Sequence, residues 1–217
     1  MIKVLGKEEF LKYDALYKKM QQGMDSINYV IDCPWVYDHA KILIKDVVID
    51  VGCGSGGTGL YIAKECKRVF GVDEQYYPGF KETCIKWGIT NAKFVQTNAK
   101  ELPFPEEYFD VAVSVSALEH CGFETAKKSV KEVARVLKKG KRLVATVAVS
   151  PDSPAYFNSE ESVVDVFTNG TGMKLVDETL TGWTWDSEEV RTKHREFLEA
   201  YKNYQNWIPI GIIVEKI

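Results

Sequence analysis

Val48-Ile-Asp-Val-Gly-Cys-Gly-Ser-Gly-Gly-Thr-Gly59 is the stretch whose reading decides the fold. Val47–Val51 is a short, apolar, β-branched run of the length of a buried strand. It feeds a loop holding Gly52, Gly54, Gly56, Gly57 and Gly59, and then a candidate helix over 58–65. Glycines let the backbone turn tightly and let a ligand touch it. The first N–H groups of a helix have no partner within it and attract a negative ligand group. Val69-Phe-Gly-Val-Asp73-Glu74 then sets an acid at the end of a second strand. An acid about twenty residues past the first glycine suits two ribose hydroxyls.

Outward from this unit, strand-like runs at 68–72, 92–96, 111–115 and 142–148 alternate with helical stretches. Pro78–Trp87 opens on proline and closes at Gly88. The helix at 124–137 carries Ala126, Val130, Val133, Ala134 and Leu137 on one face, with Lys138, Lys139 and Gly140 as its stop. Such alternation predicts a mostly parallel sheet covered on both faces. The ends differ. Residues 7–22 read as a helix striped with Phe10, Tyr13, Tyr17 and Met20, and 35–43 as a second, entered through Cys33-Pro34. A strand at 173–180, a helix at 187–204 and a strand at 210–215 close the chain, after a proline-bearing connector at 150–159. The expected organisation is one domain over 1–217: a helical cap (1–43), a ligand-binding core (44–149) and a C-terminal segment (150–217).

The 217 residues suffice to bury a core without disulfides or a structural metal. A net charge of −3 gives no basic excess, so nucleic acid is not expected as the main partner. The five cysteines are scattered without C-x-x-C spacing and read as free thiols of a reducing compartment. Charged residues from Lys3 onward interrupt any secretory signal, and no apolar run approaches a membrane span, so a cytoplasmic protein is expected.

Gly52, Gly54 and Gly57 also satisfy G-x-G-x-x-G, so the glycines alone do not separate a nicotinamide dinucleotide from S-adenosylmethionine. Three features favour the latter. Asp50 stands where a dinucleotide-binding strand is usually apolar, and a carboxylate there can hold the loop and face an ammonium group. Asn98-Ala99 follows the third strand, where an amide can bond an adenine edge. No second domain is left to hold a dehydrogenase substrate.

These residues resemble the class I S-adenosylmethionine-dependent methyltransferases. Asp50-Val-Gly52-Cys-Gly54-Ser-Gly56 is similar to their first motif, and Leu102-Pro-Phe-Pro-Glu-Glu-Tyr-Phe-Asp110 to the approach to their fourth strand. Ala117-Leu-Glu-His120 and Val133-Ala-Arg-Val-Leu-Lys-Lys-Gly140 resemble the small-molecule, type 11-like branch. The resemblance covers about 44–149. It implies a Rossmann-like seven-stranded sheet of order 3-2-1-4-5-7-6 with strand 7 antiparallel, and Pro209 at the start of that strand. It also implies S-adenosylmethionine as cofactor. Gly52, Cys53, Gly54 and Gly56 would line its methionine part, Asp73 with Glu74 its ribose, and Asn98 and Ala99 its adenine. Ser114 and Val115 would pass near the sulfonium.

Methyl transfer from a sulfonium is an in-line displacement, for which the protein supplies alignment and a dry pocket. His120, helped by Glu119, is the candidate base for a hydroxyl acceptor. Ser116-Ala-Leu-Glu-His120 is similar to a Glu-x-x-Glu-His segment that binds a divalent metal in some ubiquinone O-methyltransferases and small-RNA methyltransferases. Ser116 replaces its first Glu, so no metal is expected. No Asn/Asp-Pro-Pro-Tyr/Phe follows the fourth strand, which disfavours adenine or glutamine amino groups as acceptors. Tyr13, Tyr17, Tyr29, Trp35, Tyr37, Tyr156, Phe157, Trp183 and Trp185 are candidates to line a pocket for a small, partly apolar acceptor. The alternatives are a protein or RNA acceptor, and a cofactor-binding partner subunit without catalysis.

Overall fold

In the computed structural model, which describes residues 1–21, 30–149, 157–177, 180–200 and 207–217, the chain opens with a strand. This strand, β1 (Ile2–Val4), precedes α1 (Lys7–Gln21) and α2 (Asp32–Ala40). The core then alternates β2 (Val47–Val51), α3 (Gly57–Ile62), β3 (Arg68–Asp73), α4 (Pro78–Trp87), β4 (Ala92–Gln96) and β5 (Phe109–Val115). A 3₁₀ turn at Leu118–His120 leads to α5 (Phe123–Val136) and β6 (Leu137–Val149). The last elements are α6 (Glu160–Thr168), β7 (Met173–Leu175), α7 (Glu188–Ala200) and β8 (Ile208–Lys216).

The sheet runs β1-β8-β6-β5-β2-β3-β4, with β7 also paired to β8. The core strands are parallel, and β8 is antiparallel to β6. The order is that of the expected seven strands plus one. β1 was not anticipated, and it shares the outer edge of β8 with β7: Val4 pairs with Ile210, and Leu175 with Val214. Three residues are too few to show a period in sequence. Pro209 is the second residue of β8. Its carbonyl accepts from Leu5 N (2.9 Å), so its ring nitrogen faces the β1 side and no bond to β6 is lost.

Alternation along the strands sorts the core. Val48, Val69, Val111, Val113, Val144 and Ile213 face α1, α2, α3 and α7. Ile49, Val51, Phe70, Val72, Ala112, Leu143, Ala145 and Val147 face α5 and α6. The N-terminal helices therefore cover a sheet face, and only the start of α2 reaches the strand ends. Tyr13, Tyr17 and Trp35 are buried in that packing. The Trp35 ring lies flat on β8, where a Cβ on Gly211 would fall 2.5 Å from its Cζ2.

Other boundaries moved. Lys138-Lys-Gly140 does not stop α5 in a loop. The chain turns directly at Leu137 (φ −73°, ψ 144°) into β6, which bulges opposite Asp110 and relaxes at left-handed Gly140. The second helix starts at Asp32, with Pro34 in its first turn. The strand expected to reach 180 ends at Leu175, and the helix expected over 187–204 is described to Ala200. Most of the connector at 150–159 lies outside the described residues.

Because Gly211 admits the Trp35 ring, Gly211→Ala should destabilise the fold by roughly 1–3 kcal/mol through overpacking. Denaturant unfolding checks this, and an unchanged midpoint would show that the ring yields freely.

Candidate functional site

The C-terminal ends of β2, β3, β4 and β5 converge on a cavity of about 920 Å³. Its floor is the glycine loop. Gly52 N and Cys53 N both donate to Val72 O (2.9 and 3.1 Å), which ties the loop to β3. Gly52 is left-handed, and a Cβ there would sit 2.3 Å from the Ala117 Cβ, so that glycine lets the turn after β5 close against the loop. Gly54 is also left-handed (φ 50°), with no atom within 4 Å of where its Cβ would be: bare backbone borders the cavity. Its N–H donates to Asp73 Oδ2 (3.0 Å).

Asp50 stands behind this loop. It is 3% exposed, lines the cavity, and its Oδ2 accepts from Gly59 N (3.1 Å). Burial pushes its carboxyl up to about 7, neighbouring Asp73 adds to the rise, and the Gly59 bond opposes it. Asp73 is fixed at both oxygens, since Oδ1 accepts from Gln75 N (3.0 Å). Glu74 accepts from Asn98 Nδ2 (3.2 Å), and Asn98 Oδ1 from Lys100 N (3.0 Å), so the ends of β3 and β4 form one polar wall beside Ala99.

The structure thus brings Asp50, Gly52, Cys53, Gly54, Asp73, Glu74, Asn98, Ala99, Val115 and His120 to one cavity. Three expected residues are not in its wall. Gly56 heads α3, with the site of its missing side chain filled by Phe80 and Leu60. Ser114 is fully buried and donates to Val51 O (2.9 Å), stitching β5 to β2. Glu119 is buried, and its Oε1 accepts from Ala148 N (2.8 Å). β6 outruns β5 by several residues, and this carboxylate meets an N–H that β5 is too short to reach. Burial pushes Glu119 up to about 7. It braces the turn that carries exposed His120 into the wall.

The aromatic lining also needs correction. Phe157 and Trp183 are core residues, Trp185 packs against the core, and the Tyr37 hydroxyl donates to Glu65 (2.6 Å). Tyr29 and Tyr156 lie outside the described residues. Among the described residues, Tyr77 is the one Phe, Tyr or Trp in the wall. Wall residues that the sequence reading missed include Cys33 of α2, Thr83 and Lys86 of α4, and Thr125 and Ser129 of α5. Only Tyr77, as the residue before the helix-opening Pro78, had a positional signal. His39 stacks on Trp35 and His194 is buried against Trp185, both away from the cavity.

A family model for a methyltransferase domain matches residues 49–145, the segment that builds this cavity. Over these residues the chain is similar to methyltransferase domains. The uncharacterized methyltransferase YcgJ of Bacillus subtilis is 32% identical over 124 residues, covering 56% of this chain and 45% of YcgJ. Its crystal structure superposes with a TM-score of 0.62 at 20% identity, over 85% of this chain and 97% of that one. The ubiquinone/menaquinone biosynthesis C-methyltransferase UbiE of Yersinia enterocolitica is 30% identical over 144 residues, 61% of this chain and 53% of UbiE. The chain spans about half the length of these curated relatives. The [4+2]-cyclase SpnF shares the fold over 99% of this chain and 98% of its own, with a TM-score of 0.65 at 18% identity. Among the described residues no helix is long and apolar enough to cross a membrane.

Asp50 yields a pH prediction for the ligand-free protein. Its folded value of about 7 lies above the ordinary 3.8. Between these pH values the folded protein keeps a proton that the unfolded chain has released, so this group's contribution to stability falls as pH rises through the window and levels off above it. Asp50→Asn removes that loss. The stability of the variant minus that of the natural protein should rise between about pH 4 and 7, on the order of a few kcal/mol. A flat difference in melts across the series would show that Asp50 ionises normally.

Proposed function

We propose that the protein is an S-adenosylmethionine-dependent methyltransferase acting on a small-molecule acceptor. The observation that carries this reading is the bond from Gly54 N to Asp73 Oδ2 at the floor of the cavity. It sets a bare glycine turn and a carboxylate side by side, as an amino-acid chain joined to a ribose requires. Gly52, Cys53 and Gly54 would hold the amino-acid part, with Asp50 toward its ammonium group. Asp73 and Glu74 would take the ribose hydroxyls, Asn98 and Ala99 the adenine, and Val115 would border the sulfonium. Gly56 and Ser114 support this set from behind.

The cofactor supplies an electrophilic methyl group on sulfur. The residues of this chain bind, align and exclude water. His120, exposed in the wall, would take the proton of a hydroxyl acceptor, while Glu119 holds the turn beneath it. The name of the UbiE relative, a C-methyltransferase of quinone biosynthesis, supports a small organic acceptor. The SpnF likeness makes methyl transfer itself the point to test, since that neighbour is named a cyclase.

Calorimetric titration should show saturable binding of S-adenosylmethionine and S-adenosylhomocysteine and none of NAD. Binding of NAD alone, or of none of the three, would overturn the reading. Asp73→Ala should weaken S-adenosylmethionine binding at least tenfold, about 1.4 kcal/mol; unchanged affinity would remove the ribose assignment. With an acceptor found by transfer of labelled methyl, His120→Ala should slow turnover by roughly 10²–10⁴. Cofactor affinity should hold in that variant, and an unaltered rate would exclude His120 as the base.

A further inference from the structure

A second cavity, of about 650 Å³, opens on the outer side of α5. The two cavities share one wall residue, Lys100, which follows the Asn98-Ala99 corner. The second cavity is lined by Lys100, Lys128, Lys131, Arg135 and Lys216, against Glu101 and Glu132. It lies on the most basic stretch of the chain. Residues 127–142 hold eight lysines and arginines (127, 128, 131, 135, 138, 139, 141 and 142) and a single acid, Glu132, in a protein of net charge −3.

Half of these cations are committed to carboxylates. Lys127 pairs with Asp165, Arg135 with Glu132, Lys138 with Asp110 and Arg142 with Glu215. Arg135 is further fixed by the carbonyls of Leu102 and Phe104, so Arg135 and Glu132 form a rigid, internally neutral floor. The Lys216 ammonium is held by the carbonyls of Leu137 and Arg135. Lys128, Lys131 and Lys100 are different. All three are exposed, and none forms an ion pair among the described residues. Lys128 and Lys131 are one helical turn apart and neighbours on α5. Three unneutralised ammonium groups therefore share one concave surface with one unengaged carboxylate, Glu101.

We propose that this groove binds a phosphate-rich anion. Its free donors are lysine ammoniums, compact point charges on flexible stems, while its one guanidinium is already occupied. Such a set selects for charge density, which phosphoryl groups supply, and not for the planar, two-point geometry that a free arginine offers a carboxylate. Among the described residues no Phe, Tyr or Trp lines the groove, so its recognition is of phosphate and not of a stacked base. The phosphates can belong to a small polyphosphate or to the phosphodiester backbone of a single strand. This inference stands apart from the methyl-transfer reading, since the groove has its own residues and its occupancy is measured without cofactor.

The test titrates the full chain with tripolyphosphate and, separately, with a ten-nucleotide single-stranded oligonucleotide, at low salt and then at rising salt. Binding of the first alone identifies a small-anion site, and binding of the second identifies a backbone site. Binding of neither overturns the proposal. Lys128→Glu with Lys131→Glu should weaken the bound probe at least tenfold and, for the oligonucleotide, lower the salt slope by about two. Both lysines are exposed and unpaired, so the melting temperature should hold and report an intact fold. Lys139→Glu with Lys141→Glu makes the same charge change outside the groove and should weaken binding less than threefold. If the two double variants weaken binding equally, the attraction is diffuse and there is no groove site.

Discussion

The site depends on how a buried carboxylate is accommodated where β2 gives way to α3. Asp50 is taken out of water, which disfavours its charge, and the Gly59 N–H at the start of α3 compensates in part. That bond spans the loop from strand to helix. A Cβ on Gly59 would lie 2.5 Å from the same oxygen, so the contact exists only because position 59 has no side chain. The two constraints are mutual: the acid needs the glycine to approach, and the glycine N–H needs the acid as partner. With the loop closed in this way, Gly52 can meet Ala117 and Gly54 can meet Asp73, and the cavity takes its shape from those two contacts.

The sequence was most legible where one local rule acts alone. Val47–Val51, Pro78–Trp87 and Ala92–Gln96 have the bounds expected of them, because buried strands and a proline-opened, glycine-closed helix carry their signals within their own residues. Asp50, Gly54, Asp73 and Asn98, read from offsets along a βαβ unit, all line the one cavity. The departures share a different cause. Lys138-Lys-Gly140 has the composition of a helix stop, yet Leu137 before it pairs with Phe109 and Arg142 after it with Val111 and Glu215, so it is carried along β6 as a bulge. The tertiary partner outweighed the local preference.

Side-chain direction was the least legible layer. Glu119 and His120 are adjacent, and adjacency suggested cooperation. In the 3₁₀ turn they point apart, one to Ala148 N and the other to the cavity. Tyr13, Tyr17 and Trp35 looked like pocket residues because aromatics are common in pockets, but the helical stripe they occupy is the stripe that seals the sheet. The true wall drew instead on small polar residues of α5 and α4, which leave no pattern in a single sequence.

The placement of β1 bears on how the chain matures. Ile2 finds its partner in Ile212, and Val4 in Ile210, so two segments about 200 residues apart along the chain are joined in one sheet. Closing so long a loop is entropically slow, and contacts of this range retard folding. The parallel core from β2 to β6 can assemble during synthesis, while the outer edge awaits β8. Once β8 arrives it receives β6 on one side and both β1 and β7 on the other, leaving little of that strand open to a stranger's edge. The hazard is confined to the interval before completion, when β6 stands as an unpaired edge and a neighbouring nascent chain could add to it.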